Sequence, residues 1–156
     1  MGEFAREGQE RLAADLEAAR PDLTWAVEHQ IGSTPVDVAG VGEDVLVLVE
    51  LEMRRADPAN NTVTLLRSLE AGTLDEYETV VVCQAFSAYY DLASGGVSTK
   101  RENAAFVGRL AEDAFDRVTF HAAEFPVEPP KRGADWPDDW TDALATTVDA
   151  VVDATP

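Results

Sequence analysis

The order of apolar segments predicts an α/β fold, bordering on α+β, in which a mixed sheet carries helices on both faces. Three strand-like segments follow one another without a helix between them, which is typical of an antiparallel meander. A long helical segment then separates the third strand from a continuous apolar run, which indicates a crossover and a parallel pair of strands. A further helix and strand, and a terminal helix, complete the order αβββαβ, αβ, α.

The first half of the chain contains a helix and the three strands of the meander. A helix is predicted over residues 2 to 19 from apolar side chains at helical spacing, Phe4, Leu12 and Leu16. It ends before Pro21, which cannot continue a helix. Strands are predicted at about 23 to 30, 36 to 41 and 44 to 53, with a turn at residues 33 to 35 between the first two.

The second half begins with Asp57 and Pro58, a pair that favours a helix start. This helix is expected to run to about Ala71 on the apolar side chains Val63, Leu65, Leu66 and Leu69. The unbroken apolar run from Tyr77 to Gln84 indicates a central strand that is covered on both faces. Residues 85 to 96 fit either a short helix or a structured loop.

The last part of the chain adds one helix, one strand and a terminal helix. Thr99 and Glu102 match a capping box, and the helix that follows is expected to bury Ala105, Phe106, Leu110 and Ala114. A strand is predicted at 118 to 125, then a linker with four prolines at 126 to 137, then a helix that begins at Pro137. We expect one domain, in which residues 1–125 form the core and 126–156 pack onto it.

The chain is strongly acidic, with 30 acidic and 12 basic residues and a formal net charge of −18. Only two of the bases are lysines, Lys100 and Lys131. This composition resembles that of halophilic proteins, in which self-repulsion is screened because the Debye length falls to ~3 Å at 1 M salt. The charge can therefore reflect the solvent, and it does not exclude nucleic acid as a partner.

Two further features bound the cellular context. No apolar run approaches the ~20 residues of a membrane span, and the N-terminus lacks a basic region followed by an apolar one, so we expect a cytoplasmic protein without a membrane partner. The single cysteine, Cys83, lies in an apolar run and is expected to be a small buried hydrophobe. One cysteine cannot form an intramolecular disulfide and argues against a cysteine-based zinc site.

Acids are placed at the ends of two neighbouring strands between Thr34 and Pro58. On the third strand, alternation places on one side the residues Leu46, Leu48, Glu50, Glu52 and Arg54. This face changes from apolar to charged midway, as expected of a strand that leaves the core at a cleft. Asp37 interrupts the preceding strand, so that Asp37, Glu50 and Glu52 predict a divalent-metal site. The alternative is that these acids are solvated charges of an acidic surface.

Three short motifs and the order αβββαβ together resemble the PD-(D/E)XK superfamily of restriction endonuclease-like, metal-dependent nucleases, over roughly residues 2 to 84. The motifs are Gly8-Gln9-Glu10-Arg11, Pro35-Val36-Asp37 and Glu50-Leu51-Glu52. The family has an Asp on the second strand, an E-x-K tripeptide on the third and often a Glu on the first helix. The resemblance therefore implies metal-dependent phosphodiester hydrolysis by Asp37, Glu50 and Glu52, with Glu10 contributed by the first helix.

The sequence departs from this family at the lysine of E-x-K. That lysine falls on Glu52 if Glu50 is the acid, and on Arg54 if Glu52 is the acid; both registers lie on one strand face, so both stay open. Arg54 would supply positive charge, but a guanidinium does not give up its proton readily and is a poor general base. Candidates for contact with phosphate are Arg54, Arg55 and Arg67.

The leading hypothesis is a nuclease-like protein that acts on or binds nucleic acid with Mg²⁺ or Mn²⁺. A second is a catalytically inactive descendant of that fold, serving as a binding or regulatory module. A third is an acidic α/β domain for protein partners without a metal site. The sequence leaves the substrate and the oligomeric state open, with a homodimer among the alternatives.

Overall fold

A computed structural model describes residues 2–156, and its element order is the one predicted from the sequence. The helices are α1 (Glu3–Ala19), α2 (Ala59–Glu70), α3 (Thr99–Ala114) and α4 (Trp140–Ala154). The strands are β1 (Thr24–Ile31), β2 (Thr34–Val41), β3 (Val45–Glu52), β4 (Thr79–Ser87) and β5 (Val118–Phe125), and a 3₁₀ turn covers Ala88–Tyr90.

The five strands form one mixed sheet in the order β1-β2-β3-β4-β5. The pairs β1–β2 and β2–β3 are antiparallel, as expected of a meander, whereas β3–β4 and β4–β5 are parallel. Each parallel pair is joined by a helix, α2 or α3, because a parallel connection has to return the chain to the same end of the sheet. The predicted α/β class, with a mixed sheet flanked by helices, is confirmed.

Both faces of the sheet are covered. Leu12 and Leu16 of α1 and Leu144 of α4 are packed on one face, together with Val47 and Val49 of β3. The other face carries α2 and α3, packed on residues that include Leu46, Leu48 and Leu69. The two faces of β3 are therefore those that strand alternation predicted. Within residues 2–156, none of the helices has the length and apolarity needed to cross a membrane.

Two strands are longer than predicted. β2 begins at Thr34, because the hairpin turns at Gly32 and Ser33, where Gly32 adopts φ 61. Pro35 is tolerated there since β2 pairs with β3 only from Val38 onward. β4 continues to Ser87, and the segment left open between helix and loop becomes this strand end followed by the 3₁₀ turn. Its added residues remain paired with β3 or β5.

The prediction of the buried face of α3 is wrong. Phe106 and Leu110 are 55% and 45% exposed. The residues that α3 buries are Arg101, Ala104, Gly108 and Ala111. Small side chains let the helix approach the sheet so closely that a Cβ on Gly108 would overlap the ring of Phe120 on β5. Backbone proximity, and not side-chain size, therefore decides which face of α3 is inward.

Gly108→Ala is accordingly expected to destabilise the protein. The added methyl would overlap three atoms of the Phe120 ring, so we expect an overpacking cost near the upper end of the usual range, about 3 kcal/mol. This exceeds the roughly 1 kcal/mol that Ala gains over Gly in a helix. Denaturant unfolding in molar KCl measures the change. Gly2→Ala is the matched control, since a Cβ there meets nothing within 4 Å. Equal stability of the Gly108→Ala variant and wild type would contradict this packing.

Candidate functional site

The backbone pairing of β2 and β3 ends beside Asp37. Beyond this point, the Asp37 side chain links the two strands by a hydrogen bond. The last paired residues before the separation are Val38 and Val49. Beyond them, the Leu51 backbone N–H donates a hydrogen bond to Asp37 Oδ2 at 2.8 Å. On β1, between the partners of Val36 and Val38, Glu28 adopts φ 49, which is uncommon for a residue other than glycine. The Asp37 carboxylate therefore lies between two strands where the sheet opens.

Helix α1 contributes Gln9 to this site. The Gln9 amide donates to Asp37 Oδ1 at 2.6 Å, so that both Asp37 oxygens have protein donors. Glu10, the residue expected from the sequence, is 54% exposed in its side chain and forms an ion pair with Arg6 at 2.8 Å. One residue along a helix rotates the side chain by about 100°, which is why Gln9 and not Glu10 reaches the strands.

Glu50 lies across from Asp37, one position beyond the paired residues Val38 and Val49, and the two carboxyl groups influence each other's pKa. Glu50 also borders a narrow and mostly apolar cavity under α2, with Leu48 and Val82 in its wall. Burial raises the pKa of Glu50 well above its usual value, and the negative charge of Asp37 raises it further. Burial also raises the pKa of Asp37, and the Leu51 hydrogen bond opposes that shift. The pair therefore favours holding one proton over carrying two charges.

Glu52 belongs to a separate polar network and is only 1% exposed. Its Oε1 accepts hydrogen bonds from Asn61 Nδ2 and from Gln84 Nε2, both at 2.7 Å. Gln84 Nε2 also donates to the Pro58 carbonyl at 2.9 Å, and the Thr62 hydroxyl donates to Gln84 Oε1 at 3.3 Å. Burial raises the pKa of Glu52, while the hydrogen bonds from Gln84 and Asn61 oppose that shift. The network fixes the Glu52 carboxyl group between β4 and α2.

Arg54 follows the end of β3 at Glu52, and its guanidinium is bound by the segment at Glu128 and Pro129. Arg54 Nη2 donates to the Pro129 carbonyl at 2.6 Å and to Glu128 at 2.9 Å. Strand alternation therefore does not extend to Arg54, and Glu52 is the last residue of β3 on this strand face. Arg67 also lies elsewhere, in the last turn of α2.

Arg55 is the cationic side chain that reaches the acids. Its Nε lies 3.8 Å from Glu52 Oε2, and its Nη1 donates to Asn61 Oδ1 at 2.5 Å. The positive charge of Arg55 opposes the raised pKa values of Asp37, Glu50 and Glu52. The Tyr90 hydroxyl holds the segment in place by donating to the Arg55 carbonyl at 2.9 Å.

Asp37 and Glu52 face a cleft of about 180 Å³ that also has Gln9, Arg54 and Arg55 in its wall. Glu50 borders the cavity behind it. Across residues 2–156, no three carboxylate, histidine or cysteine side chains converge closely enough to hold a metal ion. The three-acid set expected from the sequence is thus arranged as a carboxyl pair, Asp37 and Glu50, with Glu52 held beside it by Gln84 and Asn61.

Sequence reasoning missed Gln9 and Gln84 as parts of the site. Gln84 carried a signal, because it is a polar residue inside an apolar run expected to be covered on both faces, and a buried amide needs partners. Gln9 lies beside the acid that the family pattern favoured. Asn61, in the first turn of α2, fits a local capping role in the sequence, whereas it contacts Glu52 and Arg55 in the structure.

Gln9→Ala is expected to lower the free energy of unfolding by about 1–2 kcal/mol, since the Asp37 carboxylate loses a buried hydrogen bond. Glu10→Ala is its matched control on the same helix turn. That variant loses only an exposed ion pair with Arg6, and exposed pairs of this kind contribute little to stability. Denaturant unfolding of both variants in molar KCl compares them. An equal effect of the two substitutions would contradict the assignment of Gln9 to the site.

The structure thus defines an α/β protein with a half-buried carboxyl pair where the sheet opens. No family model matches the chain, and no curated protein matches it. Among solved structures, the chain is similar to a crystal structure of a repair endonuclease from Pyrococcus abyssi, with 22% sequence identity and a TM-score of 0.38. The similarity covers 78% of this chain and 47% of that one, so this chain spans about half the length of its structural neighbour.

Proposed function

We propose that the chain is a nuclease-like protein that uses Mg²⁺ or Mn²⁺ to hydrolyse phosphodiester bonds in nucleic acid. The observation that supports this proposal is the position of Glu50 across from Asp37 at the point where β2 and β3 separate. The order αβββαβ and the Asp37 and Glu50 positions also agree with the PD-(D/E)XK resemblance.

The donor set fits a cation of this class. Mg²⁺ is usually bound through one or two carboxylates, with water and substrate phosphate oxygens completing its coordination. Asp37 and Glu50 supply two carboxyl groups that burial and mutual repulsion hold in an unfavourable state, which a cation would relieve. A bound cation would supply a water of lowered pKa and offset charge on the departing oxygen.

We assign the roles of the family lysine to two residues, with Glu52 as a proton acceptor and Arg55 as a positive charge. The raised pKa of Glu52 moves this carboxyl group toward the range in which it accepts a proton from water effectively. Arg55 stays charged at every relevant pH and can offset charge on a phosphate, but it cannot act as a base. Gln84 and Asn61 orient Glu52, and Gln9 orients Asp37.

A nuclease assay in molar KCl tests the proposal. Single-stranded, double-stranded and branched DNA and RNA are incubated with the full chain and Mg²⁺ or Mn²⁺, with EDTA as the control. High salt is needed because the chain is so acidic, and several salt concentrations are needed because phosphate contacts weaken steeply with ionic strength. Cation-dependent cleavage is expected. Inactivity on every substrate would contradict catalysis.

The burial of Glu52 favours a catalytically inactive binding module as the second candidate. A carboxyl group with 1% exposure and two amide donors is held firmly, at the strand position where the family places a lysine. Cation and nucleic-acid binding without cleavage would support this candidate. Absence of both kinds of binding would leave the third alternative, an acidic domain for protein partners.

A further inference from the structure

We propose that a second groove, which adjoins the cleft, binds a nucleotide of a single nucleic-acid strand next to the reacting phosphate. This inference rests on the proposed function. The groove and the cleft share three residues in their walls, Ala5, Met53 and Arg54. A strand whose phosphate lies at Asp37 therefore continues into this groove without leaving the protein surface.

The size of the groove suits one or two nucleotides. Its volume is about 560 Å³, which lies within the range of about 300–1,000 Å³ typical of small-molecule sites. Its walls include the apolar side chains Phe4, Met53 and Pro130. Phe4 is fixed by an edge contact with Trp136, whose ring centroid lies 6.1 Å away. Such a surface can take the flat face of a base or a sugar, and it does so without preference for sequence.

The charges of the groove differ from those of the chain as a whole. Arg54 and Arg132 line it, and Glu3 is the only acid among its described lining residues, whereas acids outnumber bases by 30 to 12 overall. In residues 2–156, no ion pair or side-chain hydrogen bond involves Arg132, which is exposed. Glu128 compensates the charge of Arg54, so Arg132 is the cation on this wall that the described residues leave for an anionic ligand.

Arg54 has a free donor for such a ligand. Its Nε and Nη2 atoms are used by the Pro129 carbonyl and Glu128, which hold the guanidinium in place. Its Nη1 has no acceptor in the part of the chain that the structure describes. An anchored guanidinium with unused N–H groups is well suited to a phosphate oxygen. In this proposal, Arg54 contacts the phosphate one nucleotide away from the phosphate at Asp37.

Arg132→Ala tests the subsite. Its matched control is Arg109→Ala, another exposed arginine, on α3 and outside both grooves. The full chain is titrated into end-labelled oligothymidylate with EDTA present, so that no cleavage occurs, and fluorescence anisotropy is recorded over a series of KCl concentrations. We expect Arg132→Ala to weaken binding at least about threefold and to make the slope of log K against log[KCl] less negative by about 0.7, the value for one phosphate of a single strand.

Glu3→Gln supplies a test of opposite sign. Removal of the one acid on the groove wall is expected to strengthen binding of the same oligonucleotide, because it removes repulsion of the phosphates. Affinities and salt slopes that stay at the wild-type value in Arg132→Ala and Glu3→Gln would overturn the subsite. Cation-dependent cleavage would in that case still support the proposed function. Failure of wild type to bind any single- or double-stranded nucleic acid would overturn both.

Discussion

Glu50→Gln is expected to stabilise the protein at neutral pH while it abolishes cation-dependent cleavage. The amide is neutral without a proton, whereas Glu50 in the folded state has to hold a proton or carry a charge that Asp37 and Glu52 disfavour. Substitutions that relieve a strained functional group commonly raise the free energy of unfolding by about 0.5–2 kcal/mol. The same change removes one of the two carboxylates proposed to hold the cation, so that stability and activity move in opposite directions.

The pH dependence of the free energy of unfolding tests whether the expected gain in stability comes from Glu50. The pKa of Glu50 is raised above 4.5 in the folded protein, so the folded state binds this proton more tightly than the unfolded chain does. The free energy of unfolding of wild type therefore falls as pH rises from about 4.5 through the raised pKa. Glu50→Gln removes this contribution, and the smaller slopes from Asp37 and Glu52 remain.

Denaturant unfolding at a series of pH values, in molar KCl with EDTA, measures this slope. Glu10→Gln is the matched control because it removes an exposed carboxylate, and its profile is expected to follow wild type. A Glu50→Gln variant that is less stable than wild type at neutral pH would contradict the carboxyl pair.

Asp37→Ala is expected to abolish cleavage as well, but with a loss of stability. Asp37 accepts hydrogen bonds from the Leu51 backbone N–H and from Gln9, and both donors lose their acceptor in this variant. Stranding such donors costs about 1–3 kcal/mol each, which exceeds the relief of repulsion with Glu50. The cation affinity is expected to fall on the order of 100-fold, as when a metal ligand or its direct support is lost.

The same unfolding and cleavage measurements apply to Asp37→Ala. Glu50→Gln and Asp37→Ala are thus expected to lose activity equally while their stabilities change in opposite directions. General unfolding cannot produce this combination, because it would lower activity and stability together. A gain of stability in Asp37→Ala would contradict the link that its carboxylate forms between β2 and β3. Cleavage at the wild-type rate would contradict its proposed role in holding the cation.

Sequence periodicity predicted well the elements that are packed between other layers of the structure. The alternation of β3 placed Leu46 and Leu48 opposite Val47 and Val49, and both sets are buried where expected, because a strand between two helical layers has only two faces. β5 has the predicted bounds, 118 to 125. Cys83 is buried, as its apolar surroundings indicated.

Close backbone approaches could not be predicted from apolar patterning. In α3, the hydrophobic side chains Phe106 and Leu110 lie outward because Gly108 lets the helix contact Phe120 directly. The spacing of large apolar residues does not indicate the contact between Gly108 and Phe120. Gly108 itself was the available signal, since a glycine inside a helix is costly unless packing requires it.

The site was predicted in its strand acids and not in its supporting residues. Asp37 and Glu50 lie together because antiparallel neighbours bring them level, which follows from the order of the strands. Arg54 donates to the carbonyl of Pro129, which is distant in sequence, so the sequence could not predict that Arg55 and not Arg54 approaches Glu52. Helix rotation, which exchanges Gln9 for Glu10, depends in the same way on tertiary packing.

Calorimetric titration of Mn²⁺ into the metal-free full chain, in molar KCl, tests the central claim most directly. Wild type is expected to bind the cation saturably, and Asp37→Ala combined with Glu50→Ala is expected to lose that binding. Glu10→Ala, which alters an exposed acid, is expected to bind as wild type does. Wild type that binds no cation, or a double variant that binds it unchanged, would contradict the account.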